Sequence, residues 1–208
     1  MRIRIEQARP GDGAGIARVQ VATWQTTYRG LVPEAYLDAM AEEPRARMWE
    51  EVIARDRGDG ASAFVMVAVA AGPEQDVDPA PGLPGSTGEE RGRTVVGFAA
   101  AGPERSGDPE FQGELGAIYV LREFQGQGVG RRLVAAVVDG LRARGHRSML
   151  VWVLAGNPYR RFYESLGGVH VRTRTIEIGG VKLPEFGYGW RDLAELARSL
   201  PGDHLGPA

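Results

Sequence analysis

The feature that most constrains this chain is a glycine-rich turn that joins an apolar strand to an amphipathic helix. Residues 114–121 form an apolar run, ELGAIYVL, which predicts a strand buried on both faces. The turn follows at residues 122–127, and a helix is predicted from about Gly128 to Arg144. The apolar stripe of that helix consists of Val129, Leu133, Val137 and Leu141. This succession indicates an α/β or α+β domain with helices on both faces of a sheet.

Hydrophobic periodicity predicts the remaining elements around this unit. Alternating or continuous apolar runs predict strands at residues 2–8, 62–70, 94–101, 147–154, 169–178 and 181–190. Helical spacing predicts a helix from Asp12, acting as its cap, to about Tyr28, and further helical stretches opening at Pro33, Pro44 and Asn157-Pro158. Strands that alternate with helices and end in a hairpin favour one mixed sheet.

Three alternate glycines in the turn leave one side of its backbone free of side chains. Gly126, Gly128 and Gly130 therefore allow an anion to approach the backbone amides, which join the free N–H groups at the start of the helix. Arg131 and Arg132 lie in the first helical turn, where the helix dipole alone disfavours cations. Their presence there favours a bound polyanion, so the turn is predicted to bind phosphate groups.

Two common nucleotide-binding motifs do not fit this turn. A Rossmann fingerprint requires a third glycine where Arg131 stands, and an acidic residue about 20 positions later, where the chain has Arg147 and Ser148. A Walker loop requires Gly-Lys-Ser/Thr, and the only lysine of the chain is Lys182. Both nucleotide assignments are therefore rejected on the residues themselves.

The pattern that does fit is Gln/Arg-x-x-Gly-x-Gly/Ala after a strand, and in this respect the chain resembles the GNAT superfamily of N-acetyltransferases. The motif reads IYVLREFQGQGVGRRL here, GNPYRRFYESLGG resembles the second signature of the family, and WQTTYRGLVP is similar to the N-terminal part of many members. The resemblance extends over the whole chain. It implies a mixed, mostly antiparallel sheet of six or seven strands, with helices on both faces and two central parallel strands splayed apart.

The resemblance also implies that acetyl-CoA lies between the splayed strands. The backbone of Ile118, Tyr119 and Val120 would then pair with the pantetheine arm, while the amides from Gly126 to Arg131 would hold the pyrophosphate. Asn157 would bond the pantetheine arm as well as cap the helix that follows it. The positions predicted to bind the cofactor are Ile118, Tyr119, Val120, Gln125, Gly126, Gln127, Gly128, Val129, Gly130, Arg131, Asn157 and Phe162.

Acetyl transfer to an amine requires a base for the amine and an acid for the departing thiolate. The Phe-Tyr pair of the family falls on Phe162-Tyr163, so Tyr163 is the predicted acid; alternatively it only completes an apolar stripe. Glu114 begins the cofactor strand and is the predicted base, with an ion pair to an arginine as the alternative. Trp24 and Tyr28 are predicted to line the acceptor side, although core packing is the alternative for both.

The predicted function is therefore an acetyl-CoA-dependent N-acetyltransferase. A primary amine of a small molecule or of a protein or peptide attacks the thioester directly, because the chain has no cysteine and no GxSxG turn to form a covalent intermediate. The alternative function is a CoA-binding sensor with little or no transferase activity, since the assignment of the base rests on the least evidence. The resemblance also implies a homodimer.

Composition limits the remaining possibilities. Of the 30 glycines and 13 prolines in 208 residues, nine fall in residues 72–93, which are predicted to be a flexible acidic insertion in a single domain with a loose tail from about residue 200. A net charge of −2 argues against a dedicated nucleic-acid partner. No apolar run is long enough for a membrane span and no signal-type segment is present, so a cytoplasmic location is expected. Without cysteines, and with three unclustered histidines, no metal site is predicted.

Overall fold

The computed structural model describes residues 2–56, 58–59, 61–71 and 93–201. Of the predicted insertion at 72–93, only Arg93 lies within these residues, where it begins a strand. Of the predicted C-terminal tail, residues 200 and 201 lie within them. The rest of both segments lies outside the described residues.

Seven strands form one mixed sheet in the described part of the chain. They are β1 (Ile3–Gln7), β2 (Phe64–Ala71), β3 (Arg93–Pro103), β4 (Gly113–Val120), β5 (Met149–Leu154), β6 (Val169–Ile178) and β7 (Val181–Trp190). Their order across the sheet is β1-β2-β3-β4-β5-β7-β6. Every neighbouring pair is antiparallel except β4 and β5, which are parallel. The mixed, mostly antiparallel sheet expected from the sequence is confirmed.

Helices cover both faces of the sheet. They are α1 (Gly13–Thr27), α2 (Glu34–Asp38), α3 (Glu42–Arg55), α4 (Val129–Ala143), α5 (Arg160–Ser165) and α6 (Leu193–Ser199), with one 3₁₀ turn at Arg122–Phe124. The apolar stripe of α4 packs into one core together with α6 and alternate residues of the strands, whereas α1 and α3 form a second core on the opposite face. The sequence analysis missed α6, although Asp192 caps it by accepting from the N–H groups of Ala194 and Glu195.

The two central strands separate soon after they meet. Parallel pairing of β4 with β5 is confined to residues 113–115 and 149–151. On its other side, β4 pairs with β3 as far as Val120, with a register shift that leaves Gly116 as the extra residue of a bulge. The prediction that this strand is buried on both faces is therefore wrong for its second half: Gly116 is exposed and residues 117–120 are half-buried, because they border the gap.

One predicted helix cap differs in its chemistry. Asp12 precedes α1 as expected, but its side chain does not cap the helix. Its carboxylate is instead paired with Arg93 of β3. The N–H of Gly13 donates to Glu50 Oε1 of α3 at 2.7 Å, so the cap comes from a residue distant in sequence. Tertiary contact has replaced the local cap and ties α1 to α3.

The packing of α4 leads to a prediction about stability. Leu133 is fully buried between this helix and the sheet. Leu133→Ala is expected to lower the free energy of unfolding by about 2–5 kcal/mol, because it removes apolar contacts and leaves a cavity. Urea denaturation would measure the change. The control is Met48→Ala, since Met48 is 44% exposed; equal losses in the two variants would contradict the assignment of Leu133 to the core.

Candidate active site

The gap between the diverging strands opens into a cleft of about 480 Å³. Its walls come from α1, β4, β5, the glycine turn with the start of α4, and the segment around α5. The lining residues are Thr23, Thr27, Tyr28, Leu115, Gly116, Ala117, Ile118, Tyr119, Val120, Gln125, Gly126, Gly128, Gly130, Arg131, Val151, Trp152, Val153, Asn157, Tyr159, Phe162 and Tyr163. The cleft therefore gathers most of the residues that the sequence predicted for cofactor binding.

The glycine turn presents an uncapped helix end to this cleft. Gly126 and Gly128 adopt φ values of 72° and 78°, in the left-handed region that favours glycine. Gly128 is the N-cap of α4, and no side chain caps the helix. A Cβ atom at either glycine would meet no atom within 4 Å, so the space above the turn is open. Free N–H groups at the positive end of a helix are suited to bind an anion there.

Gly130 contributes to the site in a different way. It lies inside α4, and a Cβ atom there would come within 3.3 Å of Phe162 Cζ. The absence of a side chain thus allows α5 to approach the first turn of α4. Close packing of the two helices, rather than an unusual backbone angle, is the physical reason for glycine at this position.

Two of the predicted cofactor-binding residues do not line the cleft. Val129 is buried in the core, and Gln127 donates from Nε2 to the carbonyl of Glu123 at 2.8 Å. Gln125 does line it, and its Nε2 donates to the carbonyl of Val120 at 2.9 Å, which fixes the turn against the end of β4.

The two arginines of the first helical turn diverge. Arg131 lines the cleft and donates to Ser165 Oγ of α5 at 3.2 Å. Arg132 donates to the carbonyl of Ile3 in β1 at 3.0 Å and does not line the cleft. Only Arg131 is therefore positioned to meet an anion in the cleft.

Tyr163 lies on the cleft wall with its ring packed among other aromatic rings. The ring centroids of Phe162 and Tyr188 are 5.5 and 6.0 Å from that of Tyr163. Burial raises the pKa of Tyr163 well above its ordinary value, so the phenol remains protonated at neutral pH. Among the described residues, no group forms a hydrogen bond with the hydroxyl, which leaves its proton available to a ligand.

Glu114 is buried and does not border the cleft. Its carboxylate is held by the guanidinium of Arg105, whose Nε donates to Oε2 at 3.2 Å. Arg105 also lies near the bulge, since its Nη2 would be 3.6 Å from a Cβ atom at Gly116. The ion pair considered as the alternative for Glu114 is present, and its role as a base stays a prediction.

Tyr28 borders the cleft and is also packed in a core with Leu37 and Leu154, and its contact with the acceptor stays a prediction. Its hydroxyl accepts from Asn157 Nδ2 at 3.0 Å, while Asn157 Oδ1 accepts from the N–H of Tyr159 at 2.8 Å. Because α5 begins at Arg160, Asn157 closes the turn before the helix instead of capping it as predicted. Both polar ends of the Asn157 amide are thus engaged, and the contact joins α1 to the opposite wall.

Trp24 supports the cleft from outside it. Its Nε1 donates to the hydroxyl of Tyr119 at 2.9 Å, and the ring of Tyr119 lines the cleft. Burial raises the pKa of Tyr119 to about 12. Trp24 therefore contacts a residue of the site, but is not itself part of the lining.

Several lining residues were missed by the sequence analysis: Thr23, Thr27, Leu115, Gly116, Ala117, Val151, Trp152, Val153 and Tyr159. A single glycine inside an apolar strand is a signal for a bulge and could have identified Gly116. Trp152 could not be identified in this way, because no local pattern distinguishes a tryptophan that lines a cleft from one in a core.

Two further findings concern other classes of site. Over the described ranges, no group of three or more His, Cys, Asp or Glu side chains could hold a metal ion. None of the helices described is both long and apolar enough to cross a membrane.

A central pair of parallel strands separates over an uncapped helix end that glycines flank, which is the arrangement that the resemblance implied for an acyltransferase. The family model described as FR47-like protein matches residues 104–176, which include β4, the turn and α4. The uncharacterized N-acetyltransferase YuaI of Bacillus subtilis (strain 168) is 35% identical over 198 residues, covering 95% of this chain and 98% of the relative. The chain belongs to the GNAT superfamily of N-acetyltransferases.

Solved structures share the fold at low sequence identity. The PaiA N-acetyltransferase of Thermoplasma acidophilum in complex with coenzyme A matches with a TM-score of 0.61 at 16% identity, covering 89% of this chain and 98% of that one. The structure of yncA from Salmonella typhimurium with its cofactor acetyl-CoA matches with a TM-score of 0.60 at 20% identity, covering 100% and 99%. The fold expected from the resemblance is confirmed.

Proposed function

We propose that this enzyme transfers the acetyl group of acetyl-CoA to a primary amine of a small molecule or a peptide, by direct attack of the amine on the thioester. The observation that carries the proposal is the separation of β4 from β5 above the uncapped N-terminus of α4. The ligands named for PaiA and yncA, coenzyme A and acetyl-CoA, support the same donor here.

The exposed edge of β4 fits a pantetheine arm. Beyond residue 115 this strand pairs with β3 on one side only, so the backbone N–H and C=O groups that face β5 have no ladder partner. Ile118, Tyr119 and Val120 lie in this stretch and border the cleft. An extended ligand with amide groups would satisfy them as an added strand does.

The glycine turn fits the pyrophosphate at the other end of the same ligand. Gly126 and Gly128 leave the amides accessible, and Arg131 adds a positive charge beside them. When bound in this way, acetyl-CoA supplies an activated acetyl thioester to the cleft. The protein then has to orient the acceptor and to move two protons.

We assign to Tyr163 the proton that the departing thiolate takes up. Its hydroxyl keeps a proton at neutral pH and borders the cleft, so it can donate to a departing thiolate. The second proton leaves the amine, and we assign its removal to Glu114 through water, because Glu114 stands beside the bulge at Gly116. Arg105 would orient the carboxylate for this task.

The donor site is tested by Gly128→Asp. We expect the dissociation constant for coenzyme A to rise about tenfold or more, because the new carboxylate repels the pyrophosphate and occupies the open space above the turn. Isothermal titration calorimetry would measure it. The matched control is Gly145→Asp, since Gly145 also has a positive φ, of 85°, and open space around it, but lies after the far end of α4. Equal affinities in the two variants would exclude the turn as the phosphate site.

The acid is tested by Tyr163→Phe. Turnover is expected to fall about 10²-fold at pH 7 with little change in the affinity for coenzyme A, because only the proton donor is lost. Since burial raises the pKa of Tyr163, the wild-type enzyme should have no fall in turnover below pH 10 that arises from this group. Tyr188→Phe is the control: its hydroxyl donates to Glu164 at 2.8 Å and it does not line the cleft. If Tyr163→Phe retained full turnover, Tyr163 would have only a packing role.

The base is tested by Glu114→Gln alongside Arg105→Gln. Loss of the carboxylate should lower turnover of a lysine-like amine about 10²-fold at pH 7, because such an amine is over three pH units from its neutral form. Turnover should recover toward pH 10, where the amine loses its proton unaided. If the ion pair of Glu114 with Arg105 is only structural, both variants should lose similar stability and keep normal turnover at pH 7. That result would exclude Glu114 as the base.

A further inference from the structure

We propose that Trp152 and Arg174 form a carboxylate-binding subsite at the acceptor end of the cleft, so that the preferred acceptor is an amine that carries a carboxylate close to its amino group, as an amino acid does. The inference rests on the proposed function, since it assigns a chemical class to the acceptor of that reaction. Two observations carry it. Trp152 lines the cleft and its Nε1–H has no acceptor among the described residues, and the guanidinium of Arg174 stacks on the Trp152 ring.

Trp152 differs from the other three tryptophans of the chain. Trp24, Trp49 and Trp190 each donate from Nε1 to an oxygen: the hydroxyl of Tyr119, Gln20 Oε1 and the carbonyl of Leu166, at 2.8–2.9 Å. The Nε1 of Trp152 is covered, yet it has no acceptor among the described residues. Buried polar groups in proteins are almost always paired, so an unpaired donor on a cleft wall indicates a ligand atom that accepts.

Arg174 of β6 adds a second set of donors beside the Trp152 ring, behind the residues that line the cleft. The carbon of its guanidinium lies 3.9 Å from the centroid of the Trp152 ring. Only its Nε is engaged, donating to Glu185 Oε2 at 2.8 Å; within the described ranges its two terminal nitrogens form no hydrogen bond. The planar fork of a guanidinium matches the two oxygens of a carboxylate.

The surrounding strands hold the Trp152 ring in place. Gly187 of β7 faces Trp152 across the sheet, and a Cβ atom there would come within 3.2 Å of Trp152 Cζ3. The ring thus lies against the backbone of Gly187, while Glu185, which is 8% exposed, fixes the guanidinium that stacks on it. A subsite built on neighbouring strands in this way is preorganised.

The side chains that line the cleft do not oppose an anionic group. No Asp or Glu is present among the described residues that line the cleft, so a carboxylate entering it meets no acidic side chain there. Glu185 offsets the single positive charge of Arg174 but leaves its terminal N–H groups free to donate to a second acid. A peptide carbonyl would accept from Trp152 without using those groups, which makes it the weaker match.

The test compares acceptors that differ only in the carboxylate. Purified enzyme with acetyl-CoA would be given L-phenylalanine, L-leucine and L-glutamate, together with the amide and the decarboxylated amine of each, and release of the free thiol would be followed. Rates are referred to the concentration of neutral amine, because the three forms differ in amine pKa. We expect kcat/KM to be at least tenfold higher for the carboxylate form in one or more series.

The outcomes distinguish failure of the carboxylate subsite from failure of the proposed function. Ratios near one, or a preference for the amides, would overturn the carboxylate subsite and leave the acetyltransferase activity intact. Thiol release with none of these compounds, but with other amines, would also overturn it. No transfer to any amine, despite binding of coenzyme A, would contradict the proposed function itself.

Two variants locate the preference. Trp152→Phe removes the N–H and keeps an aromatic ring, whereas Arg174→Lys keeps the charge but loses the planar fork. Each variant should raise KM for the carboxylate form about tenfold. Each should also reduce the ratio of kcat/KM for the carboxylate form to kcat/KM for the amide toward one. Arg172→Lys is the control, because Arg172 lies on the same strand and pairs with Asp108 and Glu110 instead. If Trp152→Phe failed to fold, Arg174→Lys would still decide. An unchanged ratio in Arg174→Lys would overturn the subsite.

Discussion

The shortness of the parallel pairing between β4 and β5 is the constraint on which the rest of this structure depends. Three residues of each strand meet, and then the bulge at Gly116 and the divergence of the strands end the ladder. A sheet that continued would bury both strands and leave no cleft. Because it separates, a row of backbone groups in the middle of the sheet stays unpaired, and a ligand can complete it. The site is therefore an interruption in the sheet, bordered by intact pairing on either side.

Chain connectivity places the remaining groups around that interruption. β4 leads through a short turn into α4, so the free N–H groups of the helix lie at the mouth of the gap. Gly130 then allows Phe162 to contact α4, and the next residue, Tyr163, is brought to the cleft wall. On the opposite side, the bond from Asn157 to the Tyr28 hydroxyl joins α1 to the segment before α5.

Local patterns in the sequence were sufficient for the seven strands and for the helices before α6, and they selected most of the residues on the β4 and glycine-turn side of the cleft. The apolar stripe of α4 and the glycines of the turn act over a few residues, so the helix and the open turn before it could be predicted. Distant partners could not. The local cap expected of Asp12 is replaced by Glu50, and the partner of Glu114 proved to be Arg105. The unpaired N–H of Trp152 is a property of three strands together, which no single stretch of sequence encodes.

The arrangement of the walls along the chain has a consequence for how such an enzyme can diversify. The proposed donor side comes mostly from one continuous stretch, residues 115–131, whose role depends on backbone shape more than on side chains. The proposed acceptor side combines α1 and β5 with the β6–β7 hairpin that packs against Trp152, and these segments come from separate parts of the sequence. Substitutions on the acceptor side can therefore accumulate one segment at a time without disturbing the donor. One donor site could in this way serve different acceptors.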